Sequence, residues 1–171
     1  MQKVESHRDK RWNLVFFLVA LVVVAADQIT KIWIRSYAGQ QPIFEAGIFR
    51  IILTRNTGAA FGLFPDQFLL LTIAAFIGII LVLLFVFYFS RNYPFMDSRS
   101  SKFALGLVLG GTIGNLVDRL RLGFVTDFIG VGFWPIFNIA DSAVTVGIIL
   151  FAYFFIISSK DSDLAGTPES K

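Results

Sequence analysis

No cysteine occurs in the 171 residues. That absence removes disulfides, thiolate nucleophiles, Cys-ligated zinc and iron–sulfur clusters. The only histidine is His7, in a charged N-terminal segment, so no His-based triad or His-rich metal site can be built; it reads as a solvated tail residue. Charge is also scarce. Fifteen Lys+Arg and 12 Asp+Glu make up 16% of the chain, against about 25% in soluble proteins. With 56% hydrophobic residues and 20 Phe, a water-exposed surface could not be covered, and a disordered chain is excluded on the same grounds. No Lys/Arg block interleaved with aromatics appears, so nucleic acid is not an expected partner. The chain reads as one integral membrane domain, in which any catalysis falls to carboxylates, hydroxyls, Lys, Arg or backbone.

What the chain does have is long apolar runs, at about 12–34, 68–89, 103–120 and 136–157, between polar tails at 1–11 and 158–171. Each is long enough, or nearly so, for the ~20 residues a helix needs to cross hydrocarbon. They are continuous rather than alternating, which argues against a strand barrel. Lys10, Arg11 and the run Leu14–Ala26 resemble a cleavable signal peptide. However, Trp12 and Trp33 stand about 31 Å apart along a helix, as interfacial aromatics do, and the pattern continues past Ala26. An uncleaved anchor is favoured.

Nine Lys/Arg lie in the tails and the loop between spans two and three, and six on the other side. This bias places both termini in the cytoplasm. On the outer side, Ile48-Phe49-Arg50-Ile51-Ile52-Leu53-Thr54 is rich in β-branched and aromatic residues. Ala46-Gly47 can turn it back on Gln41–Phe44. The expected fold is a bundle of four transmembrane helices with a small extracytoplasmic β-sheet between helices one and two.

Ionisable groups inside a span are costly and call for a reason. Here they converge: Asp27, Asp118 and Asp141 sit at the outer ends of spans one, three and four, and Asp127 lies in the short outer loop before span four. Asn138, Asp141, Ser142 and Thr145 form one polar stripe at helical spacing, while Gly111, Asn115 and Asp118 share a face with Arg119 beside it. Asp27 and Lys31 are i, i+4 neighbours; a structural ion pair and a functional role stay equally open. Asp127 and Asp141 have no basic residue near them in sequence. Gly106 and Gly110 read as close helix packing, whereas Gly111 and Gly114, nearer the polar end, leave ligand contact open. Two carboxylates held close share a proton, so one can act as base on water while the other polarises a carbonyl. That is aspartic-peptidase chemistry.

Four motifs, in order, resemble the bacterial lipoprotein signal peptidase (signal peptidase II) family. They are Asp27-Gln28 with Lys31; Asn56-Thr57-Gly58-Ala59-Ala60-Phe61; Gly114-Asn115-Leu116-Val117-Asp118-Arg119 with Gly123, Val125, Asp127 and Phe128; and Phe137-Asn138-Ile139-Ala140-Asp141-Ser142. The resemblance implies an aspartic endopeptidase of the bacterial cytoplasmic membrane that removes the signal peptide from diacylglyceryl-modified prolipoproteins. Cleavage falls just before the lipidated cysteine, at the outer face. It implies Asp127 and Asp141 as the catalytic pair and Asn56, Asn115, Arg119 and Asn138 as substrate-positioning groups. Asp27, Lys31, Asp118, Gly58, Gly111, Gly114 and Ala140 are implied as supporting members. No cofactor or metal is expected, the other partner is membrane lipid, and a monomer is expected. A transporter would place its acids near the midplane on discontinuous helices. A non-catalytic assembly subunit would not need unpaired acids. A metal-dependent hydrolase is the third rival, since four carboxylates can hold a hard cation.

Overall fold

A backbone in hydrocarbon must satisfy its own N–H and C=O groups, so the apolar runs become helices. The computed structural model describes residues 2–39, 42–58, 67–88 and 98–165. In it the helices are α1 (Gln2–Arg35), α2 (Phe68–Phe87), α3 (Arg99–Leu122) and α4 (Ile139–Ala165). Of these, Arg11–Arg35, Phe68–Phe87, Arg99–Leu122 and Ile139–Ser158 are long and apolar enough to cross a membrane. The expected spans are all present, with shifted ends. Helix α1 begins at Gln2, so the segment around His7 continues the helix, and α4 runs on past Ile157 to Ala165. Phe89, Gln41 and the Ala59-Ala60-Phe61 stretch lie outside the described residues.

Local signals set the ends of α3. Ser98 caps its start by accepting from the Ser101 backbone N–H at 3.1 Å. Gly123, at φ +78°, ends it in the left-handed region and turns the chain toward the next strand.

Helix α3 is the centre of the bundle and packs against all three other helices. Its glycines make this possible. A Cβ at Gly106 would stand 2.8 Å from the Phe16 carbonyl oxygen, and one at Gly110 would stand 2.7 Å from that of Ala20, both on α1. Gly111 meets the Ala140 carbonyl on α4, and Gly114 leaves room for the Asp27 carboxylate. All four are therefore sites of close packing, at Gly111 and Gly114 as well as at Gly106 and Gly110. Leu14, Phe17, Leu21 and Ile29 of α1 and most large apolar residues of α2 face outward, as lipid-facing surfaces do.

The sheet has three antiparallel strands in the order β1 (Phe44–Ala46), β2 (Phe49–Asn56), β3 (Val125–Val131). The first two form the expected hairpin, in register Ala46↔Phe49, turning at Gly47 with φ +60°. The third comes from the segment read as a short loop between spans three and four. Its pairing with β2 slips between Ile51 and Thr54, a bulge directly beside the Thr54↔Asp127 pair. The chain then folds back so that Phe137 bonds the backbone of Phe128 and Ile129. This delays the start of α4 to Ile139 rather than 136.

Candidate active site

Helix α4 starts with a reciprocal cap. The Asn138 side-chain oxygen accepts from the Asp141 backbone N–H at 2.9 Å, and the Asp141 Oδ2 accepts from the Asn138 backbone N–H at 3.2 Å. This is the capping-box geometry, with Asn and Asp in place of Ser and Glu. Asn138 therefore stands just before the helix rather than on the polar stripe, while Asp141, Ser142 and Thr145 continue along one face. A second orphan donor of the first turn, the Ala140 N–H, is taken by Asp27 Oδ1 at 3.0 Å, from 113 residues away.

The same Asn138 reaches the sheet. Its Nδ2 donates to Asp127 Oδ1 at 2.6 Å, and Asn56 Nδ2 donates to Asp127 Oδ2 at 2.8 Å. Asn56 is held in turn by the Gly58 backbone N–H, which donates to its oxygen at 2.9 Å in a local turn. Asp141 Oδ1 accepts from Asn115 Nδ2 at 2.7 Å. Both carboxylates thus carry amide donors, and one asparagine bridges them. Asp127 is almost fully buried. Burial first, and the nearby Asp141 charge second, push its carboxyl up to about 6, against the pull of the Asn56 and Asn138 N–H groups.

Behind this pair lies a buried ionic cluster. Lys31 Nζ is 2.9 Å from Asp27 Oδ2 and 3.4 Å from Asp118 Oδ2, so the i, i+4 pair forms and gains a second acid. Asp118 Oδ2 also accepts from the Thr126 backbone N–H at 2.9 Å, which fixes β3 to α3. Three residues outside the expected set complete the cluster. Gln28 donates to Asp27, Asp118 and the Gly114 carbonyl. Arg35 donates to the Thr126 hydroxyl at 2.9 Å. Gln28 carries a sequence signal as a polar side chain in an apolar span and as the second residue of the Asp27-Gln28 motif; Arg35 and Thr126 carry none.

The two carboxylates open into a cavity of about 660 Å³. Asn56, Asn115 and Arg119 share its polar end with them, while Leu71 and Ala75 of α2 and Val144 and Val146 of α4 line the apolar remainder. Arg119 acts electrostatically on Asp141, Asp127 and Asp118, yet no salt bridge engages it among the described residues. Below the cavity α2 and α4 meet through the Phe85–Phe151 ring pair at 5.6 Å. The result is a groove between two lipid-facing helices, polar at one end and apolar along its walls.

An asparagine-bridged pair of carboxylates, Asp127 buried and Asp141 half-buried, at the polar end of such a groove is a layout suited to a hydrolase among membrane proteins. The chain belongs to the signal peptidase (SPase) II family, whose model matches residues 19–157. It is 46% identical over 148 residues to the lipoprotein signal peptidase of Dehalococcoides mccartyi, covering 86% of this chain and 92% of that one. To the lipoprotein signal peptidase of Lactobacillus johnsonii it is 38% identical over 158 residues, covering 90% and 99%. A bacterial membrane enzyme solved by the in meso method at 2.3 Å superposes with a TM-score of 0.70 at 32% identity, covering 91% of this chain and 93% of that one. The chain is a peptidase and a multi-pass membrane protein.

Proposed function

We propose that this peptidase removes the signal peptide from diacylglyceryl-modified prolipoproteins, cutting before the lipidated cysteine, with Asp127 and Asp141 as the catalytic pair. The observation that carries the reading is the meeting of these two carboxylates, from β3 and α4, at the polar end of an apolar groove. One carboxylate takes a proton from water as the water oxygen attacks the scissile carbonyl carbon. The other gives its proton to the carbonyl oxygen. On collapse the C–N bond breaks, the first acid protonates the leaving nitrogen, and the diol proton returns to the second, leaving an acid, an amine and the pair as it began.

The surroundings suit this substrate. A signal peptide is an apolar helix and its lipidated cysteine carries acyl chains, so both match the walls of the groove between α2 and α4. Arg119 suits carbonyl or ester oxygens, and Asn56 and Asn115 can both donate and accept. The amide donors on Asp127 and Asp141 are groups a cation would have to displace, which favours a peptidase that needs no metal or other cofactor. We further propose that the enzyme acts as a monomer in the cytoplasmic membrane. The Lys/Arg bias supports an orientation with both termini in the cytoplasm and the cavity at the outer face.

The test uses purified enzyme and one precursor prepared with and without its diacylglyceryl group. The modified form is expected to be cleaved and the unmodified form left intact. Equal cleavage of both would overturn lipid recognition.

A further inference from the structure

Lys31 is fully buried, and its two carboxylate partners already answer the need for charge compensation. Its third contact does something else. Lys31 Nζ donates to Asn115 Oδ1 at 2.9 Å, and Asn138 Nδ2 donates to the same oxygen at 3.0 Å. With its oxygen held by two donors, the Asn115 amide has one tolerable orientation, and its N–H faces Asp141 Oδ1 at 2.7 Å. A flipped amide would set N–H groups against an ammonium and leave oxygen facing a carboxylate. Hydrogen bonds in such a chain polarise one another.

The two members of the pair are not placed alike. Asp141 stands in the first turn of α4, at the positive end of the helix, and accepts the backbone N–H of its cap residue. The charged groups that face it are Arg119 from α3 and Asp127 from β3, with Lys31 of α1 acting through Asn115. Asp127 sits on a strand with no helix terminus, hydrogen-bonded by two neutral amides; Arg119, Lys31 and Asp141 act on it only electrostatically.

We propose that Lys31 is a positioning residue of the peptide-cleavage reaction: through Asn115 it presents Asp141 as the carboxylate that takes the proton from water, so that Asp127 holds the shared proton and gives it to the scissile carbonyl oxygen. This rests on the reading of Asp127 and Asp141 as the reacting pair. The proton flow is then assigned: water gives to Asp141 and Asp127 gives to the carbonyl oxygen; on collapse Asp141 protonates the leaving nitrogen and Asp127 takes its proton back from the diol.

The test must separate this role from simple neutralisation of buried acids. Lys31→Met alone would strand two carboxylates, so it is combined with Asp27→Asn, which keeps the cluster's net charge and an oxygen for the Ala140 N–H. The comparison is Asp27→Asn alone, which retains the Lys31–Asn115 bond and is expected to show a graded loss. Against that single variant, the double variant is expected to lose about 10²-fold in kcat on a lipidated precursor, with KM within about twofold. A double variant that turns over at the rate of the single one would overturn the proposal. So would a rise in KM with kcat unchanged. Should the double variant fail to fold, Asn115→Asp keeps acceptors for Lys31 and Asn138 but offers Asp141 no N–H; a kcat-selective loss supports the proposal, and undiminished kcat overturns it. Substantial turnover by Asp127→Asn or Asp141→Asn would instead sink the pair itself, whatever Lys31 does.

Discussion

At the scale of the residue, Asp127 is the group whose chemistry the fold changes most. Its carboxyl lies at about 6, against 3.8 for an ordinary aspartate, because burial and the Asp141 charge both disfavour its ionised form. Between those values the folded protein holds a proton that the unfolded chain has released. The stabilisation from this group is therefore full below about 3.8 and is lost as pH rises through about 6. In the proposed mechanism the same proton is the one the reaction uses. We expect kcat/KM to fall as pH rises past about 6, read from initial rates on a lipidated precursor in a constant detergent and salt background. A flat profile from pH 5 to about 8 would show that no such proton is used. Single residues were also where sequence reading reached furthest, since a carboxylate in an apolar span is conspicuous in any register. Partners were not. That Lys31 serves Asp118 and Asn115 besides Asp27, or that Asp27 caps Ala140, depends on separations of 84 residues or more along the chain, and no local pattern encodes that.

Elements divide along the same line. Helices were legible because a hydrocarbon-crossing helix needs about 20 apolar residues and little else. Their ends were less so: capping and fold-back decide them, and the Ile129–Phe137 bridge moves the start of α4 to Ile139. Val125–Val131 does not look like a strand in sequence, because it is short and carries an aspartate and a glycine; it becomes β3 only because β2 lies alongside. Orientation belongs to this scale as well, since each helix inherits its direction from its neighbour. The Lys/Arg bias predicts that reporter fusions after Lys102 and after Lys160 read cytoplasmic, and that one near Gln40 reads external. A cytoplasmic signal at Gln40 would place the cavity on the wrong side for secreted precursors.

For the molecule as a whole, the site exists only when every element is in place. α3 supplies Asn115 and Arg119, β2 supplies Asn56, β3 supplies Asp127, and α4 supplies Asp141 behind its Asn138 cap. The close approach of α1 and α4 to α3 at Gly110, Gly111 and Gly114 sets the depth at which these groups meet. An alternative use of the fold, such as a transport pathway, would leave the two carboxylates dispensable to proteolysis. The most direct test is therefore turnover of a lipidated precursor by wild type, Asp127→Asn, Asp141→Asn and the double variant, each shown to be folded, with chelator present throughout. Asn is nearly isosteric with Asp, so folding should survive. We predict undiminished wild-type activity in chelator, a fall of about three orders of magnitude in each single variant, and no further fall in the double, because the two act as a unit. Substantial cleavage by either single variant, or loss of wild-type activity on chelation alone, would contradict a two-aspartate mechanism.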